Sequence, residues 1–201
     1  MFRSTRIFNV IILWFTCFFI WGCATMKPTP SASLSTNELI ETLRHERIEQ
    51  LYYEHYPPNV KEMIARNNIV LDIVSAYDHG GDDLYRFNLI LILNHRSALS
   101  ESERVAIIQC LERAVKDPSS WVRTEAVWGL GLLLAVKSIP SIITLLDDPD
   151  ANVVNETVLT LAKLSGIKSL PISNMDMSDE ERQKLVTFWK DWWGKVNLEK
   201  P

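Results

Sequence analysis

The sequence predicts an all-α protein, a short solenoid of stacked helical hairpins that follows an amino-terminal targeting segment. Three observations predict it. From Ser35 onward no stretch alternates as a strand does, and Pro and Gly punctuate amphipathic stretches with a helical period. A block of seventeen residues recurs at an offset of 31. The first 22 residues, with 15 hydrophobics, two Arg and no acid, differ in composition from everything after them. The whole chain has 201 residues, 47% hydrophobic and 23% charged, which suits one domain with a tail and excludes a disordered, collagen-like or disulfide-rich chain. Past residue 22 there are 19 basic and 25 acidic residues, a balance of −6. That balance argues against nucleic acid as a partner and against charge-driven adhesion to anionic lipid.

Residues 1–22 read as a secretory signal. Arg3 and Arg6 make a basic start, and Val10 to Trp21 is an apolar run interrupted only by Thr16. Twelve residues are too few to span a bilayer, which takes about 20, and match the apolar region of a signal peptide. Ile20-Trp21-Gly22-Cys23 closes it and resembles the lipobox of bacterial lipoproteins. The resemblance implies cleavage after Gly22 and a lipid on Cys23. Trp21 is bulkier than that family prefers at its position. Ala24 follows the cysteine where an Asp would favour inner-membrane retention, so the resemblance implies the outer membrane, facing the periplasm. Residues 23–34 are small, polar and Pro-containing, a flexible tether. Of the three cysteines only Cys110 remains in the body; it has no disulfide partner there and falls on an apolar face as a packed thiol.

Residues 35–80 read as an N-terminal helical extension. Ser35-x-x-Glu38 is a capping-box pattern, and Leu39, Leu43, Ile48 and Leu51 give one helix an apolar stripe. Ile69, Ile73, Val74 and Tyr77 do the same for a second helix. Repeats are expected over 81–170. Laid over Asp148 to Leu164, the segment Asp117 to Leu133 shows seven identities in seventeen, among them Asp-Pro, Glu125 with Glu156, and the apolar residues Val122, Val127, Leu130 and Leu133. The Asp-Pro pairs suit a turn and the start of a helix. Between the copies a second helix of about ten residues is expected, Ser138 to Leu146. Leu84-Tyr85-Arg86 followed by Leu89, Ile90 and Leu93 reads as a degenerate earlier copy at a spacing of about 37. Gly129 and Gly131 lower helix propensity inside a helix, a cost that close helix–helix approach would offset. Ser178-x-x-Glu181 opens a last segment, 171–201, where Phe188, Trp189, Trp192 and Trp193 make an aromatic face suited to capping the stack.

The residues Asp117-Pro118-x-x-x-Val122-Arg123-x-x-Ala126-Val127-x-Gly129-Leu130-Gly131, then Ile139-Pro140-x-Ile142-Ile143-x-Leu145-Leu146, resemble the short bacterial branch of the HEAT-repeat family. The close resemblance covers 117–166 and implies a short right-handed α-solenoid of HEAT-like hairpins. It also implies that Arg123 ties neighbouring hairpins through Asp117 or Asp148. In the second copy Val154 stands in place of that Arg and Thr157 in place of the Ala.

The sequence contains neither a nucleophile elbow nor a phosphate-binding glycine loop. His45-Glu46 begins like a zinc-protease helix, but Glu49 stands where the second His belongs. The densest polar loop is Asp78-His79-Gly80-Gly81-Asp82-Asp83, either a divalent-cation loop or a helix-ending glycine turn with acids starting the next helix. Asn155-Glu156-Thr157 matches a glycosylation sequon, accidental in a bacterial chain. The expected function is a non-enzymatic protein–protein interaction scaffold of the bacterial envelope, held to the membrane by lipid, with no cofactor, metal, nucleic acid or small-molecule substrate. Its binding surface is expected on the second helices of the hairpins, and Trp121, Arg123, Trp128, Asn152 and Asn155 are candidate partner contacts. The alternatives are a structural accessory subunit of an envelope complex and a metal sensor or enzyme using residues 78–83.

Overall fold

A computed structural model describes residues 34–48, 56–167 and 177–198. The expected signal segment, lipobox and Cys23, tether residues 24–33, Leu51 and Pro171 lie outside the described residues. The regular elements described are helical.

Three capping boxes open helices where the sequence places them. Ser35 starts α1 (Thr36–Glu41) and Ser100 starts α5 (Glu101–Ala114). Ser178 starts α9 (Asp179–Leu198), its backbone N–H donating to Glu181 Oε2 at 2.9 Å. The first stripe is not one helix. After α1 the chain tightens into a 3₁₀ turn, Thr42–Arg44, and leaves helix, with Ile48 buried beyond it. Thr42 donates its hydroxyl to the Leu39 carbonyl and competes with regular helix bonds. A helix not singled out from sequence, α2 (Pro58–Ala65), follows, with Pro58 in its first turn.

Next come α3 (Val70–Asp78), α4 (Asp83–Asn94), α5, α6 (Ser120–Leu132) and α8 (Ala151–Ser165). The expected helix from Ser138 to Leu146 is broken into a 3₁₀ turn Val136–Ser138, a single turn α7 (Ile139–Ile142) and a 3₁₀ segment Ile143–Asp147. Four β-branched residues (Ile139, Ile142, Ile143 and Thr144) crowd this stretch, and the Thr144 hydroxyl donates to the Ser141 carbonyl at 2.7 Å.

Two rows result. α4, α6 and α8 lie side by side and parallel; α3, α5, residues 136–147 and α9 form the second row. The parallel order follows from contacts at both ends. Near their N-termini Arg86 of α4 reaches Asp117 ahead of α6, and Arg123 of α6 reaches Asp148 ahead of α8. Near their C-termini Asn94 meets Gly129, and Gly131 meets Thr160. A Cβ on Gly129 would lie 2.0 Å from Asn94 Oδ1, and one on Gly131 would lie 3.0 Å from Thr160 Oγ1. The glycines therefore permit the close approach that offsets their weak helix propensity.

One core runs through these rows, from Leu39 and Leu43 through Ile90, Leu111 and Leu130 to Leu161 and Trp189. Burial of apolar surface on this scale is what lets hairpins that cannot fold singly stack together. Trp189 is fully buried, Trp192 and Trp193 pack partly against the same core, and Phe188 stays at the rim. Rings 188, 189 and 192 meet edge to face at 5.2 and 5.3 Å. α9 thus closes the last layer by packing on α8 and residues 143–147.

Candidate functional site

The N-terminal ends of α4, α6 and α8 form one edge of their row. Each begins after a turn that a side-chain acceptor fastens. Asp82 caps α4 by accepting the Tyr85 N–H at 2.8 Å. Asp117 Oδ1 accepts the Ser119 N–H and Asp148 Oδ1 the Asp150 N–H, both at 2.9 Å. These are Asx turns, and they set Pro118 and Pro149 ahead of the N-cap rather than inside the first helical turn.

Arginine ties successive turns together. Arg123 Nε and Nη2 donate to Asp148 Oδ2 and Oδ1 at 2.7 and 2.8 Å, and its Nη1 donates to the Asp117 carbonyl at 2.9 Å. Arg86 holds Asp117 in the same fork, at 2.8 and 2.9 Å, and Tyr77 adds its hydroxyl at 2.8 Å. Burial works to raise the Asp117 carboxyl, but Arg86, the Ser119 N–H and Tyr77 hold it below the usual range. Burial followed by Asp117 drives the Tyr77 phenol well up. The degenerate copy at Arg86 is therefore an equivalent rung. The ladder of forks stops at Val154, which is buried where an arginine stands in the earlier copies.

The candidate contacts separate by burial. Trp121 is 67% exposed, in the first turn of α6. Asn152, at the equivalent place in α8, is also exposed. Parallel neighbours pack about 8–10 Å apart, so these two share one strip of the edge. Arg123 is largely buried and engaged by Asp148. Trp128 does not join Trp121. Half-buried, it tilts against His95 with centroids 5.8 Å apart, and His95 in turn meets the Tyr56 hydroxyl at 3.2 Å. Asn155 is buried, and its carboxamide oxygen accepts from Arg182 Nε at 2.8 Å. All five lie on the row of α4, α6 and α8, and the row of α3, α5, residues 136–147 and α9 contributes none of them.

The 78–83 loop is occupied by the fold. Arg113 pairs with Asp78, Asp82 is the cap of α4, Arg86 pairs with Asp83, and the His79 ring bonds the Ser75 carbonyl. Among the described residues no cluster of three or more His, Cys, Asp or Glu is placed to hold a metal ion. A groove of about 390 Å³ opens beside this loop, between α1, α3 and the start of α4. Its Arg44 lies 4.0 Å over the Tyr85 ring and pairs with Glu41. Cys110 is fully buried, and burial pushes its thiol up to about 12, so it is a packing residue.

Sequence reasoning missed a second set of buried polar residues, Asn88, Glu125 and Glu156, which occupy equivalent places in α4, α6 and α8. The signal was present in the identity of Glu125 with Glu156 at the offset of 31.

Residues 97–172 match the HEAT-repeat family. The HEAT-like match spans α5 to α8 and extends upstream of the close internal repeat. HEAT repeats commonly serve as protein-interaction scaffolds. No curated protein and no solved structure matches the chain. No helix among the described residues is long and apolar enough to cross a membrane.

Proposed function

We propose that this protein is a membrane-tethered, non-enzymatic interaction scaffold of the bacterial envelope, lipidated at Cys23 and facing the periplasm from the outer membrane. It presents the edge of Asx turns, with Trp121 and Asn152 outermost, to a protein partner. The exposure of Trp121 carries the reading. A tryptophan on a surface formed by rigid, arginine-tied turns is a preorganised anchor, and tryptophans dominate interface hot spots. The pairing of His95, Tyr56 and Trp128 deepens the core and leaves Trp121 as the aromatic contact of that helix. The lipid anchor is supported by the residues Ile20 to Cys23 and by the small, polar spacer after them.

Crosslinking in cells tests both parts. A photo-reactive residue replaces Trp121 or Asn152 in the full chain, with Lys163 of α8 as a control position. The mature N-terminus is read by mass spectrometry, and a Cys23→Ser chain runs in parallel. The reading expects an acylated Cys23 and one envelope protein captured from 121 and 152 but not from 163. A chain that begins at Met1 with a free Cys23 overturns the anchor. Equal capture from all three positions overturns the edge.

A further inference from the structure

The opposite edge, where α4, α6 and α8 end, has a different chemistry. At the end of α6 the chain turns through Leu133 to Val136, and three apolar side chains stand out: Leu132 at 40% exposure, Leu134 at 59% and Val136 at 55%. Leu134 has φ +50°, a left-handed conformation that a leucine rarely adopts and a glycine adopts freely. The turn thus holds a large apolar side chain in water at a position that strains it, with no burial to offset either cost. Exposed Lys137 follows directly.

Three arginines connect this turn to the start of the domain. Arg104 in the first turn of α5 donates to the Leu133 carbonyl. Arg96, in the loop leading to α5, donates to the Met63 carbonyl near the end of α2 at 3.1 Å. Arg66, just past that end, donates to the Leu34 carbonyl at 3.1 Å. Leu34 is where any chain coming from Cys23 joins the domain. The entry point and the apolar turn therefore lie along the same edge. The Asx-turn edge is on the other side of the row, one length of α6 away, about 20 Å. Asp78, Asp82, Asp83 and Asp147 are exposed there.

We infer that the turn of Leu132, Leu134 and Val136 docks shallowly on the lipid surface to which the chain is tethered, so that the Trp121 edge faces away from the membrane. The inference rests on the lipid-anchor reading above. Ten residues lie between Cys23 and Leu34, and the eleven steps from one to the other reach about 40 Å at most, so the domain stays within range of the surface and weak apolar insertion is enough to orient it. Insertion is driven by the leucines and valine rather than by charge, consistent with the net-acidic body. A cation next to an apolar tip suits the headgroup boundary.

The test uses the full chain reconstituted into phosphatidylethanolamine–phosphatidylglycerol vesicles that carry spin-labelled lipid. A polarity-sensitive probe is attached at Lys137→Cys, which keeps all three apolar side chains, or at Ala151→Cys on the far edge as control. Flotation reads the anchor, and quenching by the labelled lipid reads the docking face. The expected result is flotation of both chains, with several-fold more quenching at 137 than at 151. The difference should disappear in a Leu132→Ser, Leu134→Gly, Val136→Ser chain that still floats. Equal quenching in chains that float overturns the docking face and leaves the anchor standing. Chains that do not float overturn both. A probe at 137 that is shielded from lipid but transfers energy between labelled copies means that a second copy covers the turn, and the inference fails.

Discussion

Glu156 shows what a single buried group does to this domain. Its carboxyl lies inside α8, with the Thr160 hydroxyl at 3.2 Å. Burial raises it to about 7; the Thr160 bond and Lys163 work against that, and Glu125 on α6 adds to it. In the unfolded chain the same group titrates near 4.5. Between these values the folded state holds the extra proton, so stability falls as pH rises through the window and levels off above about 7. The lost stability amounts to about 3 kcal/mol. Glu156→Gln is neutral at every pH, so it should melt well above the parent at pH 8 and close to it at pH 5. Thermal unfolding across that range checks this, and parallel curves for the two chains would contradict it. The ion-pair rungs behave in the opposite way, because each half of a rung needs the other. Arg123→Met leaves the Asp148 carboxylate in place with its fork partner gone, at a cost of about 3 kcal/mol. Adding Asp148→Asn keeps the Asx-turn acceptor and removes the stranded charge. The double variant should then be more stable in urea than the sum of the two single losses. From sequence, both Asp117 and Asp148 are candidate partners of Arg123. The structure uses both, one through its carbonyl and one through its carboxylate, a division that spacing alone does not encode.

Elements are legible where side chains fix them locally. Each Ser-x-x-Glu box becomes a capped helix, since both bonds form within four residues. Elements whose ends depend on tertiary contacts are not legible in the same way. The stripe through Leu39, Leu43 and Ile48 serves a helix for only part of its length, because a buried residue in extended chain also satisfies the pattern. The stretch 136–147 keeps its apolar residues inward while switching between 3₁₀ and α, which preserves the burial pattern and loses the continuous helix. At the junction of α4 with α6 the fit is tight. Gly129→Ala gains about 1 kcal/mol of helix propensity but drives a methyl into Asn94, whose amide is held by the Glu125 carbonyl at 2.9 Å. The clash should cost about 1–3 kcal/mol and outweigh the gain. Combining it with Asn94→Ala moves the small residue to the other helix. That double variant should recover part of the loss in a denaturant double-mutant cycle, whereas additive losses would mean the two helices are not in contact there.

Taken whole, the domain is a row of layers in which each is stabilised by its neighbours, and the two ends differ. At the start, α1 lies against α3 and α2, while the 3₁₀ turn 42–44 and α2 lie against α4; at the finish, among the described residues, α9 covers α8 and residues 143–147. The repeat and the aromatic cap are readable from sequence because layer-to-layer packing reuses residue types at a fixed offset. The direction in which the stack meets other molecules is not readable that way. On the proposed reading it depends on which edge carries exposed Trp121 and which carries Leu134, and periodicity is the same for both. Cooperativity follows from the arrangement. In a nearest-neighbour stack, damage to an end layer stays near that end when the inner interfaces are stronger than the end interface. Trp189 is the largest fully buried side chain, and Trp189→Ala removes about 3–5 kcal/mol from one interface. Hydrogen exchange on the full chain should then show α9 and the exposed side of α8 losing protection by several orders of magnitude, while α3, α4 and α5 exchange as in the parent. The denaturant curve should broaden into two steps. A single cooperative transition shifted as a whole, with protection lost evenly from α3 to α9, would instead mean that the buried carboxylates and arginine rungs couple the layers more strongly than the aromatic cap does.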